Sequence, residues 1–423
     1  MTASLDAARA LDRADPLAPL REEFHLPLGP DGEPATYLCG NSLGLQPKGV
    51  RGYLDEVTEA WATHGVEGHF SPPSPWLPYH EFVTPGLARL VGAEASEVVA
   101  MNTLTVNLHL MMVSFFRPAG ARRKVLIERP AFPSDRYAVT SQLRFHGLDP
   151  ERDLIEVAPR EGESVIDDDA IDAAITEAGD SLALVLLSGV QYYSGQRFDL
   201  RRVTRRAHDV GALAGFDLAH AVGNVPLSLH DWGCDFAVWC HYKYVNSGPG
   251  AVAGCFVHAR HGGDFTLPRF AGWWGHDKST RFKMGPEFVP LSGAEGWQLS
   301  NPPILSLAPL RASLELFDRA GMGALREKSL ALTGRLEALL SARCPSVEVL
   351  TPREPERRGC QLSLRVPGGR SVYERLERAG VVCDWREPDV IRVAPAPLYN
   401  RFEDVDRFVD RLAEGVREWE ARR

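Results

Sequence analysis

Asp217 and Lys243 each follow a short apolar run, and that placement is the most chemically suggestive feature of this 423-residue chain. Ala183-Leu-Val-Leu-Leu187 is closed by Ser188 and Gly189, residues 212–216 by Asp217 and His220, and residues 236–240 by His241, Tyr242, Lys243 and Tyr244. Between the first two runs, Leu200, Val203, Ala207 and Val210 recur at helical spacing. Strand, helix, strand, with polar groups after each strand, predicts a parallel α/β sheet whose ligands sit beyond the carboxyl ends of the strands. A lysine there can form a Schiff base with a carbonyl cofactor, and a nearby aspartate can keep a pyridine nitrogen protonated. Pyridoxal phosphate needs both to work as an electron sink. Asp and Lys also end many strands for solubility, so the pair alone leaves both readings open.

Several stretches could position or complete such a site. Residues 37–47 are rich in turns, and Gly40 and Gly44 are free to adopt positive φ and to let backbone approach a neighbour. Residues 48–64 are predicted helical, followed by a long loop over 65–78 that carries His69, Phe70 and Trp76. A helix over 82–91 and a short strand over 98–101 precede Asn102-Thr-Leu-Thr105 and an apolar helix over 106–116. Such a helix start is an ordinary N-cap or a phosphate site. The strand 124–128 leads to Ala131-Phe-Pro-Ser-Asp135, where an aromatic ring either stacks on a cofactor or caps the core. A strand over 154–157 and a helix over 168–178 return the chain to the central runs.

Gly248, Gly250 and Gly254 resemble a dinucleotide fingerprint but have the wrong spacing and precede a strand, which excludes a nicotinamide site. His258 and His261 lack acidic or cysteine partners at ligand spacing, and no metal is expected. Residues 263–303 are long, irregular and aromatic, as expected of a segment that packs against another surface such as a second subunit. Helices over 305–320 and 322–344 lead into strands at 347–351, 360–366, 381–385 and 390–394, with helices at 371–379 and 403–420. That order marks a smaller α+β C-terminal domain beginning near residue 315.

The formal net charge of −9 argues against nucleic-acid or acidic-membrane partners. Arg201, Arg202, Arg205 and Arg206 cluster, but as one solvated helix face. Seven cysteines without a C-x-x-C pair read as small buried residues in a reducing compartment. No secretory leader or membrane-spanning run is recognisable, so a cytoplasmic location is expected.

Taken together, the runs at residues 40–48, 101–109, 132–135, 216–224, 242–244, 279–284 and 392–400 resemble the kynureninase family, in order from about residue 37 to 410. The resemblance implies a homodimeric fold-type-I pyridoxal phosphate enzyme with its active site at the subunit interface. It would have a large domain with a mainly parallel central sheet flanked by helices (61–314), a smaller α+β C-terminal domain (315–423), and an N-terminal segment (1–60) packing with the small domain. By the same resemblance Lys243 carries the cofactor, Asp217 faces its pyridine nitrogen with Asp135 nearby, and Phe132 stacks on its ring within the run Phe132-Pro133-Ser134-Asp135. Leu104, Thr105, Ser188, His220 and Tyr242 fall on the phosphate side, while Trp273 and Asn301 match residues contributed by the partner subunit. Arg392 matches the arginine that grips the substrate α-carboxylate. Ser42, Ser300 and His69 match further substrate-side positions, His69 and Asn301 being those that would address a 3-hydroxyl on the substrate ring.

The implied reaction is hydrolysis of L-kynurenine or 3-hydroxykynurenine to an anthranilate and L-alanine, with Lys243 moving protons and Tyr242 a candidate acid or base. Two rivals share the fold. A cysteine desulfurase or class V aminotransferase is one, although a desulfurase needs a reactive loop cysteine and the cysteines here sit largely in apolar runs. The other is a binding module, for which Lys243, Asp217 and Arg392 together would be superfluous.

Overall fold

The computed structural model describes residues 2–422. Thirteen strands occur in chain order: Thr36–Tyr37 (β1), Val98–Ala100 (β2), Lys124–Glu128 (β3), Leu154–Val157 (β4), Leu182–Ser188 (β5), Leu213–Asp217 (β6), Phe236–Cys240 (β7), Ala253–Val257 (β8), Glu348–Val349 (β9), Leu362–Arg365 (β10), Val381–Val382 (β11), Asp384–Arg386 (β12) and Val390–Val393 (β13). Seven of them form the central sheet, in the order β2-β8-β7-β6-β5-β3-β4. From β7 to β4 the strands are parallel, and β8 and β2 close one edge antiparallel.

Side chains of the central strands alternate between two cores, as the two-residue period of a strand requires. Leu182, Val185 and Leu187 of β5 enter the larger core, with Ala237 and Trp239 of β7. Ala183, Leu184 and Leu186 enter the core on the opposite face, with Phe236 and Val238. Burial on both faces explains why these strands read as unbroken apolar runs. The crossover helices are started by carboxylates. Asp167 accepts from Asp169 N at 3.2 Å, and Asp199 from Arg202 N at 3.0 Å. On the second of these helices the four arginines do not form one solvated face. Arg201 and Arg205 are not paired in this way, whereas Arg202 pairs with Asp169 and Asp172 and Arg206 with Asp172, because the neighbouring helix Asp168–Ala178 lies alongside.

A third core lies under the antiparallel sheet β12-β13-β10-β9, covered by Met322–Arg343, Gly369–Arg378 and Phe402–Glu420. The helix Thr2–Ala14 joins this unit: Asp12 accepts from Phe402 N at 2.7 Å, and Ala8 is buried there. Arg21 meets Asp404 at 2.8 Å, and β1 pairs with β11. The helix Val50–His64 lies instead against Ile304–Ala320, whose Leu307, Leu310, Leu314 and Phe317 belong to the large core. The first C-terminal helix residue in the third core is Leu332.

Some elements differ from expectation. Residues 381–385 are two strands, β11 and β12, in different sheets, since the first serves the N-terminal β1. The strand expected over 347–351 is only Glu348–Val349. Residues 82–91 divide at Val83 into a 3₁₀ turn and the helix Thr84–Val91, which starts where Pro85, lacking an N–H, is tolerated. Residues 263–303 hold only short 3₁₀ turns, and Phe265, Phe270, Phe282, Met284 and Val289 there are at least half exposed. No helix among the described residues is long and apolar enough to cross a membrane.

Candidate active site

β3 and β4 lead toward one edge of the sheet and β5, β6 and β7 toward the other, so the strand order reverses between β3 and β5, where α/β sheets hold ligands. A cavity of about 500 Å³ opens there, beyond the carboxyl ends of the strands. Ten residues expected from the sequence line it: Leu104, Thr105, Phe132, Ser134, Asp135, Ser188, Asp217, His220, Tyr242 and Lys243. Glu128, Val190, Tyr192 and Ala219 complete the wall.

Register brings the polar groups together. Ser188 at the end of β5 faces Asp217 at the end of β6. Asp217 Oδ1 accepts from Ala219 N at 2.7 Å, which fixes the carboxylate at the strand end. Lys243 lies on the loop from β7 to β8, its Nζ 2.9 Å from His220 Nε2 and 5.7 Å from the centre of the Phe132 ring. The loop is held from the N-terminal side by Gly44 N, which donates to Tyr242 O at 2.8 Å. Neither Gly44 nor Gly40 has positive φ. Each is needed for close approach, because a Cβ on Gly44 would strike Lys243 O and Asn246, and one on Gly40 the Tyr399 hydroxyl.

Burial dominates the electrostatics. It pushes the carboxyls of Asp217 and Asp135 up, Asp135 the further because Asp217 and Glu128 face it, while the Ala219 N–H and Lys243 draw Asp217 back down. The neutral form is therefore favoured more strongly at Asp135 than at Asp217. Burial, seconded by Lys243, holds the His220 imidazole well below its usual range, so it is neutral and accepts from Lys243 at Nε2. Burial also raises the Tyr242 phenol, which stays protonated at neutral pH as a hydrogen-bond donor.

Three buried polar atoms in this wall have no hydrogen-bond partner among the described residues: Asp135 Oδ1, Ser188 Oγ and His220 Nδ1. The helix Leu104–Phe115 opens on the cavity with no side-chain cap at Thr103, so its first N–H groups are free for an anion. Beside it Thr105 Oγ1 and Ser134 Oγ are 2.9 Å apart. An anion site at one end, a carboxylate at the other and a lysine near an aromatic ring fit pyridoxal phosphate. Its phosphate suits the helix start, its ring nitrogen Asp217 and its aldehyde Lys243.

The remaining expected residues lie outside the cavity wall. Pro133 opens the helix Pro133–Phe145, whose first turn carries Ser134 and Asp135. Arg392 is buried one layer out: Nη1 donates to Tyr192 O and Nη2 to Asp384, each at 2.5 Å, while Nε has no partner. Trp273 and Asn301 are exposed and joined by a 3.0 Å bond from Nε1 to Oδ1, with Ser300 exposed beside them. Ser42 is exposed in the turn after Cys39, and His69 packs edge-on against Trp76 at 5.3 Å. Spacing gave His258 and His261 no acidic partners, but folding supplies Glu97 at 3.7 Å and Asp235 at 2.8 Å. With His230, the Glu97 and His258 pair comes close enough to hold an ion, although Glu97 already accepts from Glu94 N and Ala259 N.

Sequence reasoning missed Glu128 and Tyr192. Glu128 ends a strand as Asp217 does, so the same signal was present. Tyr192 has no such signal, and only folding brings it edge-on to Phe132 at 5.3 Å.

Residues 325–412 match the family profile described as Kynureninase C-terminal domain. The chain is 63% identical over 410 residues to the kynureninase of Stenotrophomonas maltophilia, covering 96% of each, and 58% identical over 404 residues to that of Koribacter versatilis, covering 95% of each. Among solved structures it resembles a cysteine desulfurase from Thermococcus onnurineus, with TM-score 0.74 at 18% identity over 91% of this chain and 95% of that one. It also resembles a lysine-to-alanine mutant of C-DES with glycine covalently linked to its PLP cofactor, with TM-score 0.75 at 17% identity over 93% and 99%. At such identities these structures speak for the fold, that of fold-type-I PLP enzymes. On the extent and level of its identity to proteins of that name, the chain belongs to the kynureninase family.

Proposed function

We propose that this chain hydrolyses the Cβ–Cγ bond of L-kynurenine, 3-hydroxy-L-kynurenine or both, consuming one water and releasing anthranilate or 3-hydroxyanthranilate with L-alanine. The observation that carries the reading is the single cavity that Lys243, Asp217 and an uncapped helix start share, in a chain of this family. When bound, pyridoxal phosphate would supply the electron sink that stabilises carbanions next to the substrate's amino group.

The chain's own residues supply the rest. With that cofactor bound, Asp217 would hold a proton on its ring nitrogen and Phe132 would flank its ring. Lys243 would hold the cofactor's aldehyde and, once free, move the substrate's α proton, while neutral His220 accepts from its Nζ. Tyr242, protonated, donates toward the γ-carbonyl as water adds and the bond breaks. Arg392 receives the α-carboxylate by exchanging it for Asp384 and the Tyr192 carbonyl, which share its fork here. Ser42, Ser300 and His69 lie toward the substrate in the same reading, with His69 and Asn301 addressing a 3-hydroxyl.

The reading includes a homodimer in which Trp273 and Asn301 reach the partner's site. The exposed aromatic segment around Phe270, Trp273 and Phe282 supports it. It also keeps the division into residues 1–60, 61–314 and 315–423, with the helix Val50–His64 on the large core. Cytoplasmic residence belongs to it as well, in keeping with seven unpaired cysteines. A desulfurase reading is disfavoured, since burial pushes all seven thiols up and leaves no thiolate nucleophile.

The test is to incubate the purified protein with each substrate separately, following anthranilate fluorescence and L-alanine. Turnover of either supports the reading, and the two specificity constants rank the substrates. A protein that shows the cofactor's absorption yet turns over neither would refute it.

A further inference from the structure

Glu128 is the least exposed ionisable group of the cavity wall, and none of the roles above uses it. It closes β3, is 3% exposed, and both carboxyl oxygens lie 3.3 Å from Ser188 N on β5. Two other carboxyls face it, Asp217 from the end of β6 and Asp135 from the first turn of Pro133–Phe145. The Tyr192 phenol, from the segment after β5, also lies within its field. No cation pairs with Glu128 among the described residues. Three carboxyls in one dry corner cannot all be ionised, since each further charge is repelled by the first and stripped of water. Lys243 acts on Asp135 and Asp217, so Glu128 is the member left without a counter-charge.

We propose that Glu128 is a positioning residue for the cofactor's ring nitrogen: protonated in the cofactor-free protein, it gives up its proton to solvent when a protonated pyridine nitrogen docks against Asp217. The docked cation supplies the counter-charge this corner lacks, and the new carboxylate then reinforces the proton on the ring. Burial already pushes the Glu128 carboxyl up to about 7, which puts the exchange in the working pH range. The inference rests on the pyridoxal phosphate reading of the cavity.

The sign follows from linkage. A nearby cation lowers the Glu128 pKa on binding, so the carboxylate strengthens binding above the cofactor-free pKa and contributes nothing well below the bound one. Titrating wild type and Glu128→Gln with pyridoxal 5′-phosphate between about pH 6 and 8.5 tests this, because the ratio of the two dissociation constants cancels the cofactor's own ionisations. The expected ratio is within about twofold at the acid end, where Gln mimics the neutral acid, and about tenfold in favour of wild type at the alkaline end. Calorimetry in buffers of different ionisation enthalpy should show about half a proton more released by wild type just below neutrality. A pH-independent ratio with equal proton release would overturn the proposal. So would weak binding by Gln at pH about 6, provided Glu128→Met, a neutral substitute of another shape, is weak there too. If wild type binds no pyridoxal 5′-phosphate at any pH, the cofactor reading itself falls and this inference with it.

Discussion

Lys243 Nζ lies 2.9 Å from His220 Nε2, a hydrogen bond between a lysine and a buried, uncharged imidazole. The two are delivered by different strands, His220 after β6 and Lys243 after β7, and their contact joins the segments that follow those strands.

Because burial holds His220 below its usual range, the unfolded chain takes up a proton on it from about pH 6.5 downward while the folded chain does not. Its contribution to stability is therefore present above that pH and lost on acidification. His220→Gln should be less stable than wild type at pH about 8, and the difference should shrink by about 1.4 kcal/mol per pH unit below about 6.5. Melting temperatures of both proteins across that range check the trend.

Lys243→Ala should abolish the visible absorption of the bound cofactor and lower kcat by about 10²–10⁴-fold or more. Spectra and single-turnover assays read both. A wild-type band in the variant would remove Lys243 from its assigned role.

Arg392→Lys keeps the charge but loses the fork that spans Tyr192 O and Asp384. The expected result is unchanged cofactor absorption with kcat/KM lower by about 10–10²-fold, carried mainly by KM. Steady-state kinetics on both substrates distinguish this from a general loss of structure.

Gly44→Ala inserts a methyl group against Lys243 O and Asn246, both parts of the loop that presents the lysine. Backbone on both sides leaves little room to yield, so stability should fall by about 1–3 kcal/mol and cofactor affinity with it. Denaturant unfolding and cofactor titration measure the two effects.

If Trp273 serves the partner's site, mixing Lys243→Ala with Trp273→Ala chains under conditions of subunit exchange should restore activity. Random pairing leaves roughly a quarter of the sites intact in a twofold dimer. Mixtures no more active than their components would place Trp273 outside the partner's site.

The order of the elements and the chemistry at their ends are legible in the residues alone. β5, β6 and β7 can be read because strands buried on both faces must be continuously apolar, and Ser188, Asp217 and Lys243 because the polar residue that ends such a run is conspicuous. Which ends meet is settled in three dimensions. β5 pairs with both β3 and β6, and this brings Glu128 within the electrostatic reach of Asp217 although ninety residues of chain, roughly, lie between them. The same non-local pairing split residues 381–385 between two sheets, gave His258 its partner Glu97, and placed Tyr192 against both Phe132 and Arg392. Local pattern reports the period and ends of an element, whereas register and strand order come from packing whole faces against one another, and an ionisable group's charge state depends on those distant neighbours.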